Sequence, residues 1–354
     1  MLDSVLGAVG GSPELLALFV GFGLVVGILF GFFGMGGSFL VTPALLMMGY
    51  PASVAVGSGM AFVFGTAVIA TLKHHDLGQV DYKLGAIMIV GTTVGIEAGR
   101  ASVFYLEDLG LADGIISVVY VFLLGGIGLL VTREALNGDD GDDDGGSAGP
   151  GHETGGGTAL SDYEVPATAK RIQETVRIPP MVTLRGDVRV SAWVITTVAF
   201  ATGLLSGFLG VGGGFIRMPA MIYAIGVPVP VAVGTDLFEI VFSGGIGSYL
   251  YGQSGGVDLG IVAPLLFGSA LGARIGSAAT AVVDADDIKV YFGGMLLAGS
   301  LAVGIGEVGS YVGSPVLESI GLFLVIGAAV VVAAAVVYST LRSLRASHDT
   351  PASA

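Results

Sequence analysis

Runs of apolar residues long enough to cross a membrane recur along this chain. Leu84–Val103, Gly114–Val131, Ala192–Gly210 and Gly321–Tyr338 are clear cases. Each covers about 30 Å of hydrocarbon at the rise of an α-helix. A water-soluble domain cannot hide so many of them. The composition agrees, with 53% of residues hydrophobic and only 12% charged, against about 25% charged in soluble domains. The expected fold class is therefore all-α, a polytopic helical membrane protein. No Lys or Arg precedes Lys73, so the basic start of a cleaved signal peptide is missing. Glu14–Phe33 is expected to be the first retained helix.

One glycine-rich phrase is written twice. Gly31–Pro43 reads GFFGMGGSFLVTP and Gly207–Pro219 reads GFLGVGGGFIRMP. The matches continue downstream. Gly49, Pro51, Ala55 and Gly57 answer to Gly226, Pro228, Ala232 and Gly234, and Val80-Asp81 answers to Val257-Asp258. Gly91, Gly95 and Gly99 answer to Gly268, Gly272 and Gly276. A duplicated apolar half, interrupted at the same place in each copy, is the pattern of a secondary transporter.

Each half opens with a long helix (Glu14–Phe33; Ala192–Leu209) that ends in the glycine cluster. A short apolar segment follows (Phe39–Met48; Phe215–Ile225), about 15–20 Å long and too short to span alone. Fuller helices follow near Ala52–Leu72, Leu84–Val103 and Gly114–Thr132. Their counterparts lie near Val229–Tyr251, Leu259–Ala281 and Lys289–Ile305, and Leu317–Leu341 is extra. The domains expected are a first membrane repeat, 1–133; an acidic, largely disordered cytoplasmic linker, 134–190; a second repeat with its added helix, 191–345; and a disordered tail, 346–354.

Charge sets the expected orientation. Arg133, the linker's Lys170, Arg171, Arg177, Arg185 and Arg189, and the tail residues Arg342 and Arg345 are assigned to the cytoplasm. If each short segment crosses once, five crossings precede the linker and six follow it. Lys73–Lys83 then falls inside with two lysines, while its partner Gly252–Asp258 falls outside with none. Glu107-Asp108, Glu307 and Glu318 are read as marking outside loops. The two repeats are thus expected to be inverted, in the plasma membrane, with the N-terminus outside and the linker and C-terminus cytoplasmic. The net charge of -14 is concentrated in the linker's Asp139-Asp140 and Asp142–Asp144, a composition that suits a solvated segment.

A run such as Gly34-Met35-Gly36-Gly37 breaks a helix. Inside lipid, such a break is tolerated only against protein or a watery cavity. The short helices after the breaks start near Ser38 and Gly214, and helix starts carry unpaired N–H groups and partial positive charge. Two of them near the midplane form a cradle for a small anion. Candidate substrate-binding residues are Gly34, Gly36, Gly37, Ser38, Gly210, Gly212, Gly213, Gly214, Arg217, Thr235 and Arg274. Charges inside spans are costly and tend to be functional. Asp236 and Glu239 share one helix face at i and i+3 and are the candidates for coupling. Asp236 paired with Arg274 as a buried structural ion pair is the other reading, and Glu97 and Arg274 hold equivalent positions with opposite charge.

The ordered set, G-x-x-G-x-G-G-[SG]-F-x-x-x-P, then G-x-P, A-V-G-[ST], G-x-V-D and G-x-x-x-G-x-x-x-G, resembles the TauE/SafE sulfite-exporter family. The resemblance covers both halves. It implies export of small sulfur-containing anions, sulfite and organosulfonates. The family's motif residues fall on Gly34, Gly36, Gly37, Pro43, Gly210, Gly212, Gly213, Pro219, Gly234, Thr235, Asp236 and Arg274. The first copy departs from the second, with Ser58-Gly59 where the second has Thr235-Asp236. The expected partners are a small anion, the lipid bilayer, and H+ or Na+ as coupling ion; no nucleic acid and no cofactor is expected.

Other classes fare worse. A membrane enzyme needs a nucleophile–base pair or metal constellation, yet the chain has no cysteine and no H-E-x-x-H. No catalytic residue and no metal site is assigned. There is no G-x-x-x-x-G-K-[ST] for a nucleotide. An anion channel or sensor without ion coupling is the remaining alternative, though a simple pore has no need of Asp236 and Glu239.

Overall fold

The computed structural model describes residues 13–33, 38–76, 80–136, 167–176, 178–184, 188–279 and 285–349. The first half contains α1 (Pro13–Phe33), α2 (Ser38–Met47), α3 (Ala52–Asp76), α4 (Tyr82–Asp108) and α5 (Ala112–Leu136). Between the halves lie α6 (Ala167–Thr175) and a hairpin of β1 (Met181–Thr183) and β2 (Arg189–Ser191). The second half contains α7 (Ala192–Leu209), α8 (Gly214–Ala220) with a π-helical turn at Met221–Ile225, α9 (Val229–Gln253), α10 (Leu259–Ala279), α11 (Ala285–Val312) and α12 (Pro315–Asp349). Among the described residues, eight helices are long and apolar enough to span a bilayer. Ala52–Val68 and Ile216–Ile225 are shorter apolar stretches. Phe122, Phe267, Leu301 and Phe323 stand exposed on these helices, as side chains that meet lipid do. This is a multi-pass membrane protein.

The helices continue past the apolar runs that announce them. α4 begins at Tyr82 because Asp81 caps it, its carboxylate accepting from the N–H groups of Lys83 (3.0 Å) and Leu84 (3.1 Å). Glu107-Asp108 ends α4, Glu307 lies within α11, and Glu318 is in the first turn of α12. The reading of these acids as loop residues is corrected on this point, because charge marks where a helix leaves hydrocarbon, and backbone hydrogen bonding carries it further.

Packing follows the glycines. The Gly91, Gly95 and Gly99 face of α4 lies on α7, which offers Gly203 and Gly207 in return. A Cβ at Gly99 would come within 2.7 Å of Phe208 N, and one at Gly203 within 2.6 Å of Thr92 Cα. The counterpart contact joins Gly268, Gly272 and Gly276 of α10 to Gly23, Gly27 and Gly31 of α1. Without a hydrophobic drive between helices in lipid, such close backbone approach supplies much of the association. Each half thus packs its first helix on the other half's fourth.

The loops are exchanged in the same way. Asp81 N donates to Thr235 Oγ1 at 2.9 Å, and Asp258 N donates to Ser58 Oγ at 3.1 Å. These four residues are two pairs of repeat equivalents. Both short segments end at a left-handed glycine, Gly49 (φ 82°) and Gly226 (φ 85°).

The linker divides at residue 167. Residues 137–166, including the acidic run, lie outside those described. The rear part, which the sequence reading left without regular structure, is folded. Thr168 Oγ1 of α6 donates to Tyr223 O and Gln173 Nε2 to Ile225 O, both at 2.9 Å, so carbonyls of the π turn find partners. Leu184, Val188 and Val190 of the hairpin join Leu84, Met88, Ile195, Met221 and Ile225 in a small core of their own. A larger core draws on α1, α2, α3, α5, α10, α11 and α12.

Candidate functional site

The second glycine cluster forms a break whose backbone few residues other than glycine adopt. Gly210 closes α7 in the left-handed region (φ 73°), and Gly212 and Gly213 follow at φ 69° and 83°. A side chain at such φ is strained, and here it also meets neighbours: a Cβ at Gly212 would strike Val63, and one at Gly213 would strike the Arg217 guanidinium. The chain then enters α8, seven residues long, with Ile216 N (3.1 Å) and Arg217 N (2.8 Å) bonded back to Gly213 O. Pro219 has no N–H to donate to the carbonyl four residues earlier, and the helix widens into the π turn two residues on. π turns occur often at functional sites.

Arg217 folds back over this break with its side chain 0% exposed. Its Nη2 donates to Gly212 O at 3.1 Å, and its Nη1 pairs with Asp236 Oδ1 at 3.3 Å and also with Glu239 Oε2. Asp236 and Glu239 reach it from α9 because i and i+3 share a face. An ideal Cβ on Gly214 would sit 2.7 Å from Asp236 Oδ2, so the carboxylate nearest the start of α8 is the protein's own. Glu239 is also fully buried and bonds through Oε1 to the hydroxyl of Thr92, on α4 of the first half. The Arg217 Nε N–H is buried without a hydrogen-bond partner. A buried guanidinium with two carboxylates is stable only when closely paired.

The structure brings together Gly210, Gly212, Gly213, Gly214, Arg217, Asp236 and Glu239. Thr235 adjoins them, its hydroxyl oxygen taken by Asp81 N. Arg274 stands apart, exposed on α10, so the Asp236–Arg274 pairing is replaced by Asp236–Arg217. Glu97, the repeat equivalent of Arg274, pairs instead with Arg100 at 2.7 Å on an exposed face of α4. Gly34, Gly36 and Gly37 lie outside the described residues, and of Ser38 only its place at the start of α2 is described. Position for position, Arg217, Asp236 and Glu239 of the second copy answer to Val41, Gly59 and Phe62 of the first, so one repeat carries all three charges. Thr92 was not among the residues singled out from the sequence. Among the described residues, no group of three or more His, Asp or Glu converges as a metal site.

Paired spanning helices, duplicated short segments and a charge cluster buried between the halves define a membrane transporter. Residues 19–303 match the family described as sulfite exporter TauE/SafE, and the chain belongs to that family. It is similar to the probable membrane transporter protein YunE of Bacillus subtilis, 26% identical over 267 residues, spanning 72% of this chain and 85% of that protein. A probable membrane transporter protein of Xylella fastidiosa (strain 9a5c) is 26% identical over 264 residues, 74% of this chain and 84% of its own. One from Methanocaldococcus jannaschii is 24% identical over 280 residues, 74% of this chain and 86% of its own. No solved structure matches the chain.

Proposed function

We propose that this protein is a secondary transporter that exports small sulfur-containing anions, such as sulfite or organosulfonates, across the plasma membrane. The observation that carries the proposal is Arg217, buried at the glycine break with its Nε N–H unpartnered. A guanidinium held out of water, with a donor to spare, suits a compact oxyanion. Asp236 and Glu239 compete for the same cation, so an anion that takes part of Arg217 loosens its hold on a carboxylate. That competition is a route for coupling anion movement to H+ or Na+.

Alternating access then arises as the two repeats, inverted in the membrane, rock about a midplane site. The reciprocal packing of α4 on α7 and α10 on α1 supports a two-fold relation between them. In this arrangement the N-terminus faces outside, with the linker and C-terminus cytoplasmic. The test is anion flux in proteoliposomes of the purified full chain, with and without a pH or Na+ gradient. Sulfite or a sulfonate should move and respond to one gradient. No flux of sulfite, sulfonates or sulfate would overturn the substrate assignment. Flux indifferent to both gradients would make the protein an uncoupled anion channel.

A further inference from the structure

The buried cluster sets two carboxylates against one guanidinium. With every group ionised it holds one uncompensated negative charge out of water, which is costly. The neighbours of Glu239 do not cancel it. α8 presents Arg217, and α9 itself presents Asp236. α3 brings Met60 and Phe64 to α9, and its Ala52–Val68 stretch contains no charged residue. On α4, Lys83 and Glu97 lie on the exposed face, and the group that meets Glu239 is the Thr92 hydroxyl. The π turn, Met221–Ile225, contains no charge. The balance must come from a bound cation or a proton. A metal cation bridging the two carboxylates would have to stand where Arg217 Nη1 already bonds both; a proton needs no such space.

Thr92 is built to serve both states of that proton. Its single hydroxyl hydrogen lies within reach of Met88 O at 2.9 Å, Ile89 O at 3.2 Å and Glu239 Oε1. The two carbonyls can only accept, whereas a carboxyl group accepts when ionised and donates when protonated. Facing ionised Glu239, Thr92 donates to it. Facing the acid, Thr92 accepts from it and turns its own hydrogen to Met88 O. Neither state leaves Thr92 Oγ1 or Glu239 Oε1 unpaired, and the switch requires only a rotation about the Cβ–Oγ1 bond.

Resting on the coupled-transporter reading, we infer that Thr92 is a positioning residue that makes Glu239 the seat of one exchangeable proton, so that the coupling ion is H+ and not Na+. Because Thr92 belongs to the first repeat and Glu239 to the second, proton binding reports on the contact between α4 and α9, and movement of the halves changes it.

The test reads the proton directly and needs no transported substrate. The full chain in liposomes is titrated by infrared difference spectroscopy, following the stretching band of a protonated carboxyl group. The wild type should show a band that disappears as pH rises, unchanged when Na+ replaces choline. Glu239→Gln should abolish it, because the remaining Asp236 and Arg217 balance. Thr92→Val removes a hydrogen bond that favours the ionised form more than the acid, so the midpoint should rise by about one pH unit. Thr92→Ser should restore it, which separates this role from a packing one. Absence of a Glu239-dependent band, its displacement by Na+, or an unmoved midpoint in Thr92→Val would overturn the inference. If this titration holds while sulfur-anion flux is absent, the substrate assignment fails alone; if flux is proton-coupled without the Glu239 band, this site fails alone.

Discussion

Replacing Arg217 by methionine removes the guanidinium and keeps an apolar side chain of similar length. Three contacts vanish together: the hydrogen bond to Gly212 O and the pairings with Asp236 and Glu239. Two buried carboxyl groups then face one another with no cation. Breaking a buried pair from one side costs about 3–5 kcal/mol, most of it from the charge left behind. At about 2–4 °C per kcal/mol for larger domains, the melting temperature should fall by about 6–20 °C in lipid nanodiscs, followed by loss of the monodisperse peak after heating. The decisive comparison is Arg217→Met combined with Asp236→Asn and Glu239→Gln. That variant has no unpaired charge and should recover at least about half of the loss, while transport remains abolished. If Arg217→Met alone melts with the wild type, the three residues do not share the energetic coupling inferred from their geometry. If the triple variant is as unstable as the single one, the cost comes from packing around the break rather than from charge.

Three further outcomes follow from contacts already described. Gly213→Ala forces a left-handed φ on alanine, costing about 1–2 kcal/mol, and drives its Cβ into the Arg217 guanidinium; transport should be lost while membrane insertion, read by protease protection, is kept. Thr235→Val leaves the Asp81 N–H without its acceptor and should destabilise by about 1–3 kcal/mol, measured as thermal shift, with Ser58→Ala costing less because its hydrogen bond is only partly buried. Arg274→Ala, on an exposed face of α10, should leave stability within about 0.5 kcal/mol and transport near wild type; a transport defect there would restore Arg274 to the site.

The sequence made most of the helices legible, because hydrocarbon thickness demands long apolar runs. It also placed Asp236 and Glu239 on one face, since that follows from the helical repeat alone. Which arginine they meet was not legible. Arg217 and Arg274 are both charges inside apolar segments, and only the turn of the chain at Gly212-Gly213 decides that Arg217 folds back into the core. Thr92 gave no signal for a related reason. A threonine within a helix ordinarily satisfies itself on the carbonyl four residues back, and Thr92 does so with Met88 O; its contact with Glu239 exists only because α4 and α9 meet. The hairpin after α6 was missed because three-residue strands carry little periodicity.

The exchanged loop bonds bear on how such a chain can be divided. Each half holds a hydroxyl that the other half's main chain occupies, Thr235 for Asp81 and Ser58 for Asp258. Severed at the linker, neither half can complete its own loop, so the fragments should be recovered as a complex or degraded. A protein holding one copy of the repeat would present the same unsatisfied groups to a second molecule of itself, and its working unit would be a dimer.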